Sequence, residues 1–317
     1  MERRRIRLSG KYRLITRSDF DGLVCGMLLQ EAGLVDEVLF SHPKDMQDGT
    51  VEVNQRDIIA GLPYVEGCAI CFDVNPDDSL PETVRASGPF QCDPRLPSVA
   101  RFVYTWLGGR LAFPRIDQAM LLAVDKATKA DYSIEDILEP TDWVLLGFLM
   151  DARTGLGRFR DFRLSNYQLM LELMSYCRTH RIAEILVHPD VAERVQIYQD
   201  HMYRFGEQIR RCTRMHEDVG VIDLREEEQI WAGNRFVVYA LFPRMKVSIH
   251  VMWGLRRQNT VFAVGRSILA SRATLSQVDI GQLMAKYGGG GRASAGTCQV
   301  PHEQVARVQA ELIASLI

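Results

Sequence analysis

The chain has 317 residues, 47% of them hydrophobic and 25% charged, so it can bury substantial cores and most naturally divides into two domains. Its formal net charge of −2 gives no overall electrostatic footprint for a nucleic acid and leaves room only for a local basic groove. There is no signal-peptide pattern and no apolar run of membrane-spanning length, and the seven scattered cysteines fit a reducing cytoplasm, where the protein is expected without a membrane partner.

The first basic cluster, Arg3-Arg4-Arg5, reads as a solvated terminus. Tyr12 to Thr16 is a predicted strand, and Gly22 to Ala32 a predicted helix. Between them the apolar run ends in two carboxylates one residue apart and a glycine, Asp19-Phe20-Asp21-Gly22. Chemistry in α/β sheets sits at such strand-to-helix turns. Residues i and i+2 of an extended turn point the same way, so Asp19 and Asp21 aim into one crevice. Paired hard oxygens suit Mg²⁺ or Mn²⁺; the plainer alternative is a helix cap beside a turn residue.

Further strands are predicted at Glu37–Phe40, Thr50–Val53 and Ala69–Phe72, and helices at Ser98–Leu107 and Gln118–Lys126. This alternation predicts an α/β fold with a mostly parallel sheet and helices on both faces. Acids recur where neighbouring strands would finish: Asp57 follows one, Asp73 ends the next, and Asp125 lies near the end of a helix. Asp19, Asp21, Asp57, Asp73 and Asp125 are therefore the candidate metal ligands. Cys68-Ala69-Ile70-Cys71 has redox spacing but lies in an apparent buried strand and reads as packing.

From Pro140 to Lys246 the pattern is mainly helical. A polar glycine loop, Asp151 to Arg160, offers Arg153 and Arg158 to phosphate oxygens, although loop arginines commonly face water. Val191 to His216 reads as one long amphipathic connector whose apolar stripe serves either a core or a homodimer surface. Strands are then predicted at Gln229–Ala232, Phe236–Phe242, Val247–Trp253 and Val261–Ile268, a helix at Ile280–Tyr287 and a strand at Thr297–Val300. Between the last two, Gly288-Gly289-Gly290-Gly291-Arg292 lets backbone approach an anion and supplies charge, so Gly289, Gly290, Gly291 and Arg292 are candidate phosphate contacts. The division expected is residues 1–190, 191–225 and 226–317, the last a smaller α/β domain.

Asp19-Phe20-Asp21-Gly22 resembles the first motif of the DHH phosphoesterases, and Gly288 to Gly296 is similar to the glycine motif of their associated C-terminal domain. The likeness is closest to the exopolyphosphatase-related branch. It continues through Ser41 to Gly49, Leu62-Pro63-Tyr64, Pro97 to Arg101, Val124-Asp125-Lys126 and Asp151 to Gly155. What it implies is a two-domain hydrolase with a Mn²⁺ or Mg²⁺ pair in its cleft, acting on a phosphorylated small molecule, polyphosphate or short oligonucleotide. Asp73-Val74-Asn75 aligns with the Asp-His-His that names the family, so Asp73 and Asn75 are the implied catalytic remnant. Arg292 replaces a histidine, Thr128 stands where an acid is expected, and the second motif falls on Asp57 or else on Gly61. These departures imply weakened or lost hydrolysis with ligand binding kept; the alternative is an active exopolyphosphatase or oligonucleotide or cyclic-dinucleotide phosphodiesterase.

Overall fold

The computed structural model describes residues 8–86, 88–159, 162–271 and 277–317; the Arg3-Arg4-Arg5 cluster lies outside them. In chain order the first elements are β1 (Tyr12–Thr16), α1 (Phe20–Glu31), β2 (Val35–Phe40), α2 (Pro43–Gln47), β3 (Asp57–Ala60), β4 (Ile70–Asp73), α3 (Glu82–Ala86) and β5 (Phe90–Cys92). The five strands form a parallel sheet in the order β2-β1-β3-β4-β5. Its central strands read as unbroken apolar runs because both faces are covered: Leu14, Ile15, Ile58, Ile59, Ile70, Cys71 and Phe72 are all fully buried.

Thr50–Val53 is not a strand. Val51 and Val53 are half-buried and pack on the cluster around Ile59, Cys68 and Cys71 from its margin. The ladder is taken instead by Asp57–Ala60, whose four residues are all buried.

Helices follow: α4 (Val99–Trp106), α5 (Gln118–Lys129), α6 (Ile134–Leu138), α7 (Asp142–Met150), α8 (Asn166–Thr179), α9 (Ile182–Leu186) and α10 (Pro189–Cys212). Of the stripe on α10, Val191, Tyr198, Phe205 and Ile209 are buried, which is the behaviour of core residues. The chain then runs through β6 (Thr213–His216), β7 (Val219–Asp223), α11 (Val237–Leu241), β8 (Val247–Trp253), β9 (Thr260–Arg266), α12 (Ile280–Ala285), β10 (Gly290–Arg292), β11 (Ala295–Val300) and α13 (Val305–Leu316). Its sheet is mixed, in the order β10-β11-β9-β8-β7-β6, with β7 and β8 parallel and the other pairs antiparallel. Ile249, Val251, Phe262 and Val264 of this sheet pack with Ile280, Leu283, Met284, Val308 and Leu312 of α12 and α13.

Two predicted strands are corrected here. Phe236–Phe242 contains the helix α11, because an apolar run buried on every side has no period that separates strand from helix. Asn234 starts that turn by accepting from the Phe236 amide at 3.0 Å. Gln229–Ala232 pairs with a side chain instead of a strand: Gln208 accepts from the Trp231 amide at 3.1 Å and donates to the Gln229 carbonyl at 2.7 Å.

The chain forms two compact units, one of residues 1–131, 140–152 and 156–196, the other of 132–139, 153–155 and 197–317. Among the described residues no helix is long and apolar enough to cross a membrane.

Candidate active site

Register builds the site. Thr16 lies opposite Ala60, and Ala60 opposite Phe72, so the next residue of each strand, Arg17, Gly61 and Asp73, forms a row along the C-terminal edge of the parallel sheet. Asp19 caps α1 two residues beyond Arg17, accepting from the Gly22 amide at 3.0 Å. Gly22 is required there, since a Cβ would stand 2.1 Å from the Arg17 carbonyl oxygen.

Asp21, in the first turn of α1, is held by a different helix. Its carboxylate accepts from the amides of Val99 (3.1 Å) and Ala100 (2.7 Å) at the N-terminus of α4, and from the Thr128 hydroxyl of α5 at 3.1 Å. Burial pushes its pKa up to about 7, and the charge of Asp19 adds to that, against the three hydrogen bonds that lower it. The neighbouring Cys25 thiol is raised well above its ordinary range by burial and by these two acids, so it is inert as a nucleophile.

Asp125 is tied to α4. Ser98, the cap of α4, donates to Oδ1 at 2.6 Å, and Arg101 donates to Oδ2 from Nε at 3.0 Å and Nη2 at 2.5 Å. Asp19 is likewise met by Arg17, Nε to Oδ2 at 2.9 Å. Asp73 accepts on Oδ1 from both the backbone amide and the side-chain amide of Asn75, each at 2.8 Å, while Val74 turns into the core.

Asp57 must be removed from this group. It opens β3 instead of closing a strand, opposite Arg13 at the N-terminal edge of the sheet. It is 1% exposed and paired bidentately with Arg13 at 2.7 and 2.9 Å. The position at the C-terminal end of β3 is Gly61, the alternative alignment.

Sequence reasoning missed Arg17, Ser98 and Arg101, which became visible only through the strand register and the α4–α5 pairing. It also missed Asp93, just past β5, which Arg95 grips at 2.8 and 2.7 Å. Arg17 stands two residues before the acidic motif, and a charge there was the available signal.

Arg153 and Arg158 are exposed residues of two separate 3₁₀ turns, Ala152–Thr154 and Leu156–Arg158, and belong to different compact units. The glycine run is partly ordinary structure. Gly288 ends α12 with a φ of +74°. A Cβ on Gly289 would lie 2.0 Å from the Thr297 carbonyl oxygen, whereas one on Gly290 would meet nothing within 4 Å. Gly290, Gly291 and the exposed Arg292 lie on an edge strand where a loop was expected.

The metal pair that the resemblance implies does not fit the edge as it is assembled. Every oxygen of Asp19 and Asp125 has a donor, and the expected donor positions at 61, 74 and 128 hold glycine, valine and threonine. Among the described residues, the group with three ligand atoms within 4.8 Å of one another is Glu172, His188 and Asp190, elsewhere in the same unit, and there Asp190 is paired with Arg163.

No protein-family model and no curated protein matches the chain. It is similar to a solved pGpG-specific phosphodiesterase from Vibrio cholerae, with 48% sequence identity, a TM-score of 0.81 and coverage of 96% of this chain and 98% of that one. It aligns at 8% identity and a TM-score of 0.45 with CDC45 from Entamoeba histolytica, covering 96% of this chain and 95% of that one. With a Methanococcus jannaschii protein assigned to the family II inorganic pyrophosphatases the values are 10% and 0.27, over 97% and 99%. The last two likenesses are too weak to carry an argument.

Proposed function

Because this chain belongs to the DHH-type phosphodiesterase family, as its near-full-length identity to a family member shows, we propose that it hydrolyses the phosphodiester of a short linear dinucleotide. The observation that supports this most strongly is that 48% identity over 96% of the chain. The relative is named for pGpG, which makes pGpG the substrate to try first.

In this reading the C-terminal edge of the first sheet receives the scissile phosphate. Arg17 and Arg101 are the cations that meet phosphate oxygens. Asp21, with a pKa of about 7, has the value suited to accepting a proton from water at neutral pH. Asp73 and Asn75 form a tight turn in which both Asn75 amides donate to Asp73, and the second N–H of the Asn75 side chain is what it offers a phosphate oxygen. Gly290 and Arg292 bind phosphate in the second unit.

The test is chromatography of pGpG incubated with the purified chain and Mn²⁺ or Mg²⁺. Hydrolysis of its internal phosphodiester takes up one water and gives two GMP. Asp21→Asn and Asp73→Asn should each lower turnover by about 100-fold or more, since residues acting as one unit fail together. Absence of GMP, or turnover unchanged in both variants, overturns the proposal. The loss of both family histidines at Val74 and Asn75 favours a second reading, binding without turnover. Retained pGpG affinity with no GMP would establish that one instead.

A further inference from the structure

The edge described above carries a charge pattern that a two-metal centre does not need. Arg17 takes Asp19, and Arg101 takes Asp125, each as a direct ion pair at 2.9 and 2.5 Å. The second pair is shielded, with side-chain exposures of 19% and 14%. Gly61 leaves room beside the first: a Cβ at that position would lie 4.0 Å from Arg17 Cδ, in ordinary contact, so a longer side chain there would run alongside Arg17.

The ion pairs bear on the metal count. Asp19, Asp21, Asp73 and Asp125 carry four negative charges when ionised, and Arg17 and Arg101 cancel two. A single divalent cation would bring the formal sum to zero, whereas a second would add two positive charges beside guanidinium groups that already occupy two of the four acids.

We propose that Arg17 and Arg101 are fixed cations standing in for one of the two metal ions, so that Asp19 and Asp125 are guanidinium anchors and the edge takes no more than one divalent ion. The proposal rests on the phosphodiesterase reading only in its turnover arm; the binding arm is independent. Arg17 and Arg101 hold the two carboxylates in place and remain the cations that meet phosphate oxygens, without exchanging with solvent metal.

The test is Mn²⁺ titration followed by electron paramagnetic resonance on the full chain. It is done in a Glu172→Gln background, which disables the separate Glu172–His188–Asp190 group. Wild-type Arg17 and Arg101 should give at most one equivalent bound. Arg17→Met and Arg101→Met should each gain a second equivalent or bind Mn²⁺ at least ~10-fold tighter, the scale on which a ligand's immediate partners act. The same variants should lose pGpG turnover, so affinity and activity move in opposite directions. Arg17→Lys and Arg101→Lys, which keep the charge, should retain the wild-type stoichiometry and serve as folded controls. Two equivalents in the wild type, or methionine variants that bind Mn²⁺ no better, overturn the inference. If Mn²⁺ behaves as stated but no GMP is formed, the phosphodiesterase reading fails and the charge assignment stands; two ions with turnover give the reverse.

Discussion

Asp57 and Asp73 occupy adjacent parallel strands, yet one is a structural ion pair and the other a site residue, because a strand has a beginning and an end. Composition near a strand does not tell which end an acid occupies; a boundary misplaced by a few residues moved Asp57 across the sheet. The consequence is measurable. Arg13→Met leaves Asp57 buried and uncompensated and should cost roughly 3–5 kcal/mol in urea unfolding. Asp57→Asn should lower stability but leave pGpG turnover per folded molecule unchanged. His250 gives the acid dependence: burial, then the charge of Arg235, lowers its pKa to about 4, against about 6.5 unfolded. The unfolded chain therefore binds the proton first, and stability present above pH 6.5 is lost as pH falls towards 4. His250→Gln should remove roughly 1–2 kcal/mol of that loss, once partial solvent access is allowed for, in denaturation curves compared at pH 7 and pH 4.5.

At the scale of elements, the glycine run separates packing from function. Gly289→Ala drives a Cβ to 2.0 Å from the Thr297 carbonyl oxygen and should destabilise the β10–β11 hairpin by roughly 2 kcal/mol or more. Gly290→Ala meets open space and should stay within roughly 0.5–1 kcal/mol of the parent, so any loss of phosphate affinity there is a binding effect. Thermal melts with and without inorganic phosphate distinguish the two. The strand-turn-helix at Thr16 to Gly22 was legible because hydrophobicity, acids and glycine change together within seven residues. Val237 to Leu241 was not, since its run of apolar residues fits either period, and the turn is held by distant partners, among them the buried hydroxyl of Tyr239, 2.8 Å from Ser248 and 2.9 Å from the Gly265 carbonyl. Ser98 and Thr128 were equally hidden: each matters through a partner more than 25 residues away, which no local pattern reports.

For the whole molecule, a mostly parallel sheet followed by a second α/β unit was readable from the order of apolar runs, and so was the likeness to a phosphoesterase. The assignment of α6 was not. Its Ile137 carbonyl receives the amide of the fully buried Asn234 at 2.7 Å, and the Thr154 carbonyl receives the Gly233 amide at 3.0 Å, so two short pieces from the first half of the sequence complete the second unit. That threading forbids clean dissection. A recombinant fragment starting at residue 197 would lack both pieces and leave Asn234 and Gly233 with amide hydrogens unanswered, each a penalty of roughly 1–3 kcal/mol. It should give a collapsed species with poorly dispersed amide resonances, restored to sharp lines only when a peptide spanning 132–155 is added in trans. Anyone grafting the glycine-bearing half onto another scaffold would have to carry along a stretch of sequence that, on paper, belongs to its neighbour.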